Sequence, residues 1–272
     1  MKEAALAIIR DLPGPTEKLN RLREYLQTFL LRSLHESEAF GSIAFVGGTA
    51  LRFLYGLPRF SEDLDFSVYR KESYEPVKWM QKAKRDLSLA GFQAEIRWND
   101  RRTVNSGWIR MGDILKEAGL SALKNQKLSI KIEIDTQPPK GETLKRSLVT
   151  RHLSFALCHY DLPSLLSGKL HALISRPYIK GRDWYDLVWY LSHRPPILPN
   201  LAFLQNALSQ THPDPQINAN DWIELLLKRL ESLDTKALIE DVHAFLERPN
   251  DTALLTRQNL VTVLKQCRKF ES

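Results

Sequence analysis

The residues of this chain best suited to chemistry lie in residues 45–66, FVGGTALRFLYGLPRFSEDLDF. A short apolar run ends at Gly47, Gly48 and Thr49, and Asp63 and Asp65 follow one supersecondary unit later. Aspartates at i and i+2 of a strand point their carboxylates to one face, roughly 6.5–7 Å apart along the chain. Buried together, two such charges would raise each other's pKa and destabilise the fold. A divalent cation removes the conflict. Mg²⁺ suits the place, because it takes one or two carboxylates together with phosphate and water oxygens. Two such ions can clamp the attacking and leaving oxygens of a phosphoryl or nucleotidyl transfer. The glycine pair supplies the complement. Without Cβ atoms the backbone can approach a phosphate closely, and N–H groups at a helix N-terminus bind anions. Thr49 adds a hydroxyl. The order is therefore phosphate cradle first, metal carboxylates second. A third carboxylate is available from Glu133 or Asp135 on another alternating stretch, and Arg52 and Arg59 flank the cradle as candidate triphosphate contacts.

The surrounding pattern supplies elements to position these groups. Thr16 reads as the N-cap of an amphipathic helix, EKLNRLREYLQTFLLRSLHE. IAFV reads as a short buried strand ending at the glycines, and ALRFLYG as a short helix stopped by Gly56 and Pro58. DLDFSVY alternates in the strand period, with Leu64, Phe66 and Val68 opposite Asp63, Asp65 and Ser67. LSIKIEID repeats that alternation, with Leu128, Ile130, Ile132 and Ile134 opposite Ser129, Lys131, Glu133 and Asp135. EPVKWMQKAKRDLSLAG predicts a helix and FQAEIRW a strand, whereas residues 102–120 follow neither period cleanly. TQPPKGE breaks the chain. From about residue 161 the spacing is helical throughout. The expectation is an α+β protein: a mixed sheet with flanking helices in residues 1–150, then a helical bundle in 151–272.

Composition is that of a globular protein, with 43% hydrophobic and 26% charged residues among 272. No window is apolar enough to span a membrane, and the first apolar stretch is too short and too charged for a signal peptide. Cys158 and Cys267, far apart, suit a reducing cytosol and no zinc site. The net charge of +7 is uneven, with 25 Lys/Arg against 19 Asp/Glu in residues 1–150, and 14 against 13 beyond. A basic half that also carries a carboxylate pair points to a polyanionic partner, nucleotide or nucleic acid.

With Gly47-Gly48-Thr49 followed by Asp63-x-Asp65, the sequence resembles the nucleotidyltransferase-like superfamily. It is most similar to the AbiEii/AbiGii family of nucleotidyltransferase toxins, which includes the MenT toxins. GGTALRFLYGLPRFSEDLDFSV matches that family's first two motifs, including Arg59 and Ser61 ahead of the aspartates. The likeness continues through KIEID and GKLHALISRPYIKGRDWYDLVWY, where the family carries a lysine and then an R-D-x-x-D-L pattern. Lys169, Arg182, Asp183, Asp186 and Leu187 stand at those positions.

The resemblance implies transfer of a nucleoside monophosphate from an NTP with Mg²⁺ or Mn²⁺. In the MenT type the acceptor is the 3′ end of tRNA. It further implies a cytoplasmic toxin paired with an AbiEi-type regulator antitoxin, and a role in phage resistance. On this reading Asp63 and Asp65 hold metal, helped by Glu133 or Asp135. Gly47, Gly48, Thr49, Arg52, Arg59 and Ser61 hold the nucleotide. Lys169 reaches the triphosphate from the helical domain, so that the site lies in the cleft between the domains, and Asp183 orients it. Read as residues, Lys169 falls near the start of its helix and is a compact charge suited to phosphate. Asp183 sits near a helix N-terminus, where a carboxylate is favoured. Asp186, among Trp184, Tyr185, Leu187 and Trp189, is expected to be partly buried and paired with Arg182 or Lys169.

The other motifs point nowhere else. No P-loop, nucleophile-elbow or zinc-protease pattern is present, and the six tryptophans read as core rather than as base-stacking platforms. The alternatives are the same chemistry on a small-molecule or protein acceptor, and a non-catalytic NTP-binding module.

Overall fold

The computed structural model describes residues 1–123, 125–212, 214 and 216–270. The chain forms two compact units. The first holds residues 1–55, 60–138 and 145–159; the second holds 56–59, 139–144 and 160 onward.

Among the described residues, seven strands form one mixed sheet: β1 (Ile43–Val46), β2 (Leu64–Val68), β3 (Gln93–Asn99), β4 (Val104–Gly112), β5 (Leu128–Asp135), β6 (Leu144–Val149) and β7 (Phe155–Tyr160). Their order is β3-β4-β5-β2-β1-β7-β6. β1 runs antiparallel to β2, β2 parallel to β5, and β4 antiparallel to both β5 and β3. The helices α1 (Lys2–Ala7), α2 (Pro15–Glu36), α3 (Gly47–Tyr55), α4 (Pro76–Leu89) and α5 (Ile114–Glu117) accompany the sheet.

Helix α2 starts two residues earlier than the threonine cap predicts. Pro15 opens it behind Gly14, because a fixed φ and a missing N–H cost nothing in a first helical turn. Its Leu22, Leu26 and Leu30 are fully buried. In β5 the alternation places Ile130, Ile132 and Ile134 in the core, with Phe45 and Phe66 stacked nearby at 5.3 Å between centroids. Residues 102–120, which obey no clean period, form β4 and α5. Asn105, Ser106 and Gly107, weak strand formers, blur the β4 alternation. Two strands, β6 and β7, are absent from the sequence expectation. β6 lies at the sheet edge and is almost wholly exposed with basic residues in it, so it has no buried stripe to read.

The second unit is helical: α6 (Leu162–Ser175), α7 (Gly181–Leu191), α8 (Leu201–Thr211), α9 (Trp222–Glu231), α10 (Thr235–His243) and α11 (Arg257–Cys267). Side-chain caps set several starts. Asp161 accepts the Ser164 N–H at 2.9 Å, and Asn200 the Phe203 N–H at 3.1 Å. A Cβ on Gly181 would run into the Leu238 backbone, so α7 and α10 approach more closely than any other residue allows. Residues 58–59 run beside 246–247: Arg59 bridges Leu246, and the Glu247 N–H donates to the Pro58 carbonyl at 3.3 Å. That pairing carries Arg59 into the core of this unit, where 2% of it is exposed. No described helix is long and apolar enough to cross a membrane.

Candidate active site

Gly47 follows β1 directly and begins α3 at φ +78°, a conformation that side chains resist. A Cβ there would also overlap the Asp65 carboxylate. Two independent demands thus fall on one glycine. The backbone must turn left-handed, and a carboxylate must lie against it. Gly48 and Thr49 follow as buried residues of the first turn. The Thr49 hydroxyl, expected at a phosphate, donates instead to the Asp63 carbonyl. It ties the helix to the loop that launches the aspartates. That loop is pinned from the other side too. The Gln27 amide of α2 donates to the Ser61 and Glu62 carbonyls at 3.0 and 2.9 Å.

Asp63 precedes β2, and Asp65 lies within it; both are partly exposed. Of the two candidates for a third carboxylate, the strand register brings Glu133 directly opposite Asp65, while Asp135 stands opposite Ser67. Asp135 accepts the Gln137 N–H at 2.9 Å, and burial pushes its carboxyl up against that bond. Glu133 is paired with Lys131 at 2.7 Å. Among the described residues no three His, Cys, Asp or Glu side chains gather closely enough to hold a metal ion alone. The donors nevertheless fit Mg²⁺ or Mn²⁺. Such ions take one or two hard carboxylates and leave the remaining positions to phosphate and water oxygens.

Arg52 is buried and gives its guanidinium to Glu24 of α2, under a cation–π contact with Phe60 at 4.1 Å. Glu24 also meets Arg151 at 2.9 Å and His152 at 3.3 Å. Burial alone would raise the Glu24 carboxyl, but these donors outweigh it and hold it down at about 2. Neither Glu24 nor Gln27 features in the sequence expectation. The available signal is a polar stripe on a buried helix face, with Asn20, Glu24 and Gln27 each at most 5% exposed.

The second unit holds the later motif. Lys169 lies in the middle of α6, not near its start, and Asp183 in the first turn of α7. The lysine ammonium donates to Asp183 at 2.8 Å and sits 2.9 Å from Asp186. Asp186 is fully buried and takes both Nε and Nη2 of Arg59 at 2.6 Å, a bidentate pair. Its partners are therefore Lys169 and Arg59. Arg182 instead lies over Phe245 at 4.3 Å, near Asp241. Asp183 has a further partner in Arg176. Burial would raise Asp183, yet Lys169 and Arg176 hold it down at about 2. Lys169 is raised in turn, its two carboxylates outweighing its burial. Arg59 and Arg52, expected beside a triphosphate, are thus both buried in ion pairs.

The first unit thus carries a glycine turn against an aspartate strand in a mixed sheet. The family model described as "Nucleotidyl transferase AbiEii toxin, Type IV TA system" matches residues 28–262. The chain belongs to this family of nucleotidyltransferase toxins. A search of curated proteins gives no match. Among solved structures, a nucleotidyltransferase candidate from H. pylori is similar at 21% identity and TM-score 0.54, with 89% of this chain and 95% of that chain covered. JHP933 from Helicobacter pylori is similar at 20% identity and TM-score 0.50, covering 92% and 93%. MenT4, a nucleotidyltransferase toxin from Mycobacterium tuberculosis H37Rv, is similar at 14% identity and TM-score 0.55, covering 97% and 89%. At these identities the likeness is one of fold.

Proposed function

We propose that this chain moves a nucleoside monophosphate from an NTP to the 3′ end of tRNA. The 3′ oxygen bonds to the α-phosphorus, the bond from that phosphorus to the bridging oxygen breaks, and pyrophosphate leaves. The observation that carries the reading is Gly47. Its left-handed turn sets the start of α3 against the Asp65 carboxylate, an arrangement that supports a phosphate site beside the aspartates. Asp63 and Asp65 would hold Mg²⁺ or Mn²⁺, with Glu133 next to them. The ion, when bound, neutralises the phosphate charge. Gly47 and Gly48 offer backbone N–H groups to the β- and γ-phosphates. Ser61 stands in the loop held by Gln27 and is assigned to the nucleotide. Lys169 is assigned to the triphosphate, and Asp183 sets its position. Arg52 and Arg59 act through their carboxylates rather than on the nucleotide. Catalysis of this kind is mostly positioning and charge stabilisation.

Family membership supplies the toxin role and an antitoxin partner. We further assign that antitoxin to the AbiEi regulator type, the setting to the cytoplasm and the biological role to phage resistance. The basic first half supports a tRNA acceptor, since phosphate contacts dominate nucleic-acid affinity.

The test incubates the protein with Mg²⁺, each α-labelled NTP and total tRNA, beside the double variant Asp63→Ala/Asp65→Ala. Label entering tRNA with the wild type only is the expected result. Pyrophosphate release without labelled RNA would move the acceptor to a small molecule or protein, and no reaction with any NTP would overturn the catalytic reading.

A further inference from the structure

The sheet has an open face on the side of the aspartates. Register fixes its membership. Asp65 of β2 lies opposite Glu133 of β5, Glu133 opposite Ser106 of β4, and Ser106 opposite Asn99 of β3. Lys131, Trp108 and Arg97 form the next row, and Ser129, Arg110 and Glu95 the one after. The opposite face of these strands is core, with Ile109, Met111, Ile130 and Ile132 fully buried. On the open face Trp108 is 40% exposed, against the expectation that the tryptophans are core. Its ring has the Lys131 ammonium at 5.8 Å.

The charges around it are unbalanced. Glu95 is engaged by Lys127 at 2.5 Å, and Glu133 by Lys131 at 2.7 Å. Arg97 and Arg110 lie near Glu95, and among the described residues neither forms a salt bridge. A large exposed aromatic ring between guanidinium groups is the composition of a single-strand binding surface, where bases stack on the ring and cations track the phosphates.

We propose that this face is a stacking platform for the unpaired end of a single-stranded RNA acceptor, with Trp108 as the base contact and Arg97 and Arg110 as the phosphate contacts. The proposal rests on the nucleotidyl-transfer reading above. Strand spacing and rise put Trp108 roughly 12 Å from Asp65. A few bases at about 3.4 Å each span that gap, so a 3′ end at the aspartates would lay its preceding bases over the tryptophan.

Binding of a short 5′-labelled single-stranded RNA is measured by anisotropy, and binding of Mg²⁺-NTP by calorimetry. The proteins are the wild type, Trp108→Ala, Trp108→Phe and Arg97→Ala/Arg110→Ala. Trp108→Ala should weaken RNA binding roughly 5- to 100-fold, the value of one stacked base. Trp108→Phe should restore most of it, and Mg²⁺-NTP binding should be the same in all four. The arginine double variant should lower the slope of log affinity against log salt by roughly 1.4, two phosphates on a single strand. RNA binding by Trp108→Ala equal to wild type would overturn the platform and leave the RNA acceptor standing. Wild type that binds Mg²⁺-NTP but no RNA would overturn both. Trp108-dependent RNA binding without any nucleotide transfer would uphold the platform and sink the catalytic reading.

Discussion

The aspartate motifs of the two units hold their carboxylates in opposite states. Asp63, Asp65 and Glu133 sit at a partly exposed sheet face, gathered by one strand and its register. Asp183 and Asp186 are nearly inaccessible, enclosed by Lys169, Arg59 and Arg176. A buried carboxylate persists only when cations and hydrogen bonds replace its water, and removing one partner is then expensive. A carboxylate that keeps part of its surface in water bears far less of that cost. The same residue type is thus locked into ion pairs in one place and left at a solvated face in the other. Any task of Asp183 in chemistry runs through Lys169, the cation it holds.

The largest expected effect separates the two states. Asp63→Ala/Asp65→Ala should reduce transfer by at least about a thousand-fold, on the scale of losing the main electrostatic stabilisation, yet leave the melting temperature near wild type. Asp186→Asn should do the reverse to the fold. It strands the Arg59 guanidinium in the core, and breaking a buried pair typically costs about 3–5 kcal/mol. Urea unfolding measures it. Replacing both partners, Asp186→Leu with Arg59→Met, should recover most of the loss, because Lys169 keeps Asp183. A double variant no more stable than Asp186→Asn would show that the ion pair is not what the single change damages.

The legible part of the molecule follows from this division. Gly47, Asp63 and Asp65 are near one another in sequence, so the spacing within one strand-helix-strand unit is enough to show that they come together. The alternation of β5 likewise fixes which face Glu133 occupies. Register does the rest, and register is a tertiary fact: nothing in LSIKIEID says that Glu133 rather than Asp135 faces Asp65. Arg59 is read as a nucleotide contact because it adjoins the aspartate motif. Its partner, Asp186, lies 127 residues away, beyond any local pattern. Glu24 is hidden for the same reason, as its donors come from residues 52, 151 and 152. β6 is missed because an exposed edge strand has no apolar stripe.

Acid titration gives an effect spread over both units. Glu24 and Asp183 both sit at about 2 in the folded chain, below ordinary values of 4.5 and 3.8. Their folded pKa values are depressed, so their contribution is present above the ordinary values and is lost as pH falls toward 2. Together this amounts to a loss on the order of 5 kcal/mol across that window. Denaturant midpoints measured from about pH 5 downward should fall steeply through the window. Glu24→Gln should flatten the fall more than Asp183→Asn, because the Glu24 shift is the larger. Equal slopes in wild type and Glu24→Gln would mean that the buried cluster on α2 does not hold its carboxylate in the charged form.

The smallest effect is the most discriminating, since it concerns one hydroxyl with two possible employers. Sequence alone sends the Thr49 side chain to a phosphate; the structure sends it to the Asp63 carbonyl. Thr49→Val keeps the shape and removes the donor. If the carbonyl is the employer, a part-buried hydrogen bond is lost, which costs about 1 kcal/mol, and the loop bearing Asp63 loosens. Thermal stability and kcat should then both fall, while the KM for NTP changes little. Thr49→Ser, which restores the hydroxyl, should recover both. If the phosphate is the employer, the NTP KM rises and stability is untouched. Steady-state kinetics and a melting curve on the same two variants decide it. A KM effect alone would return Thr49 to the nucleotide and leave Gln27 as the side chain that pins the loop.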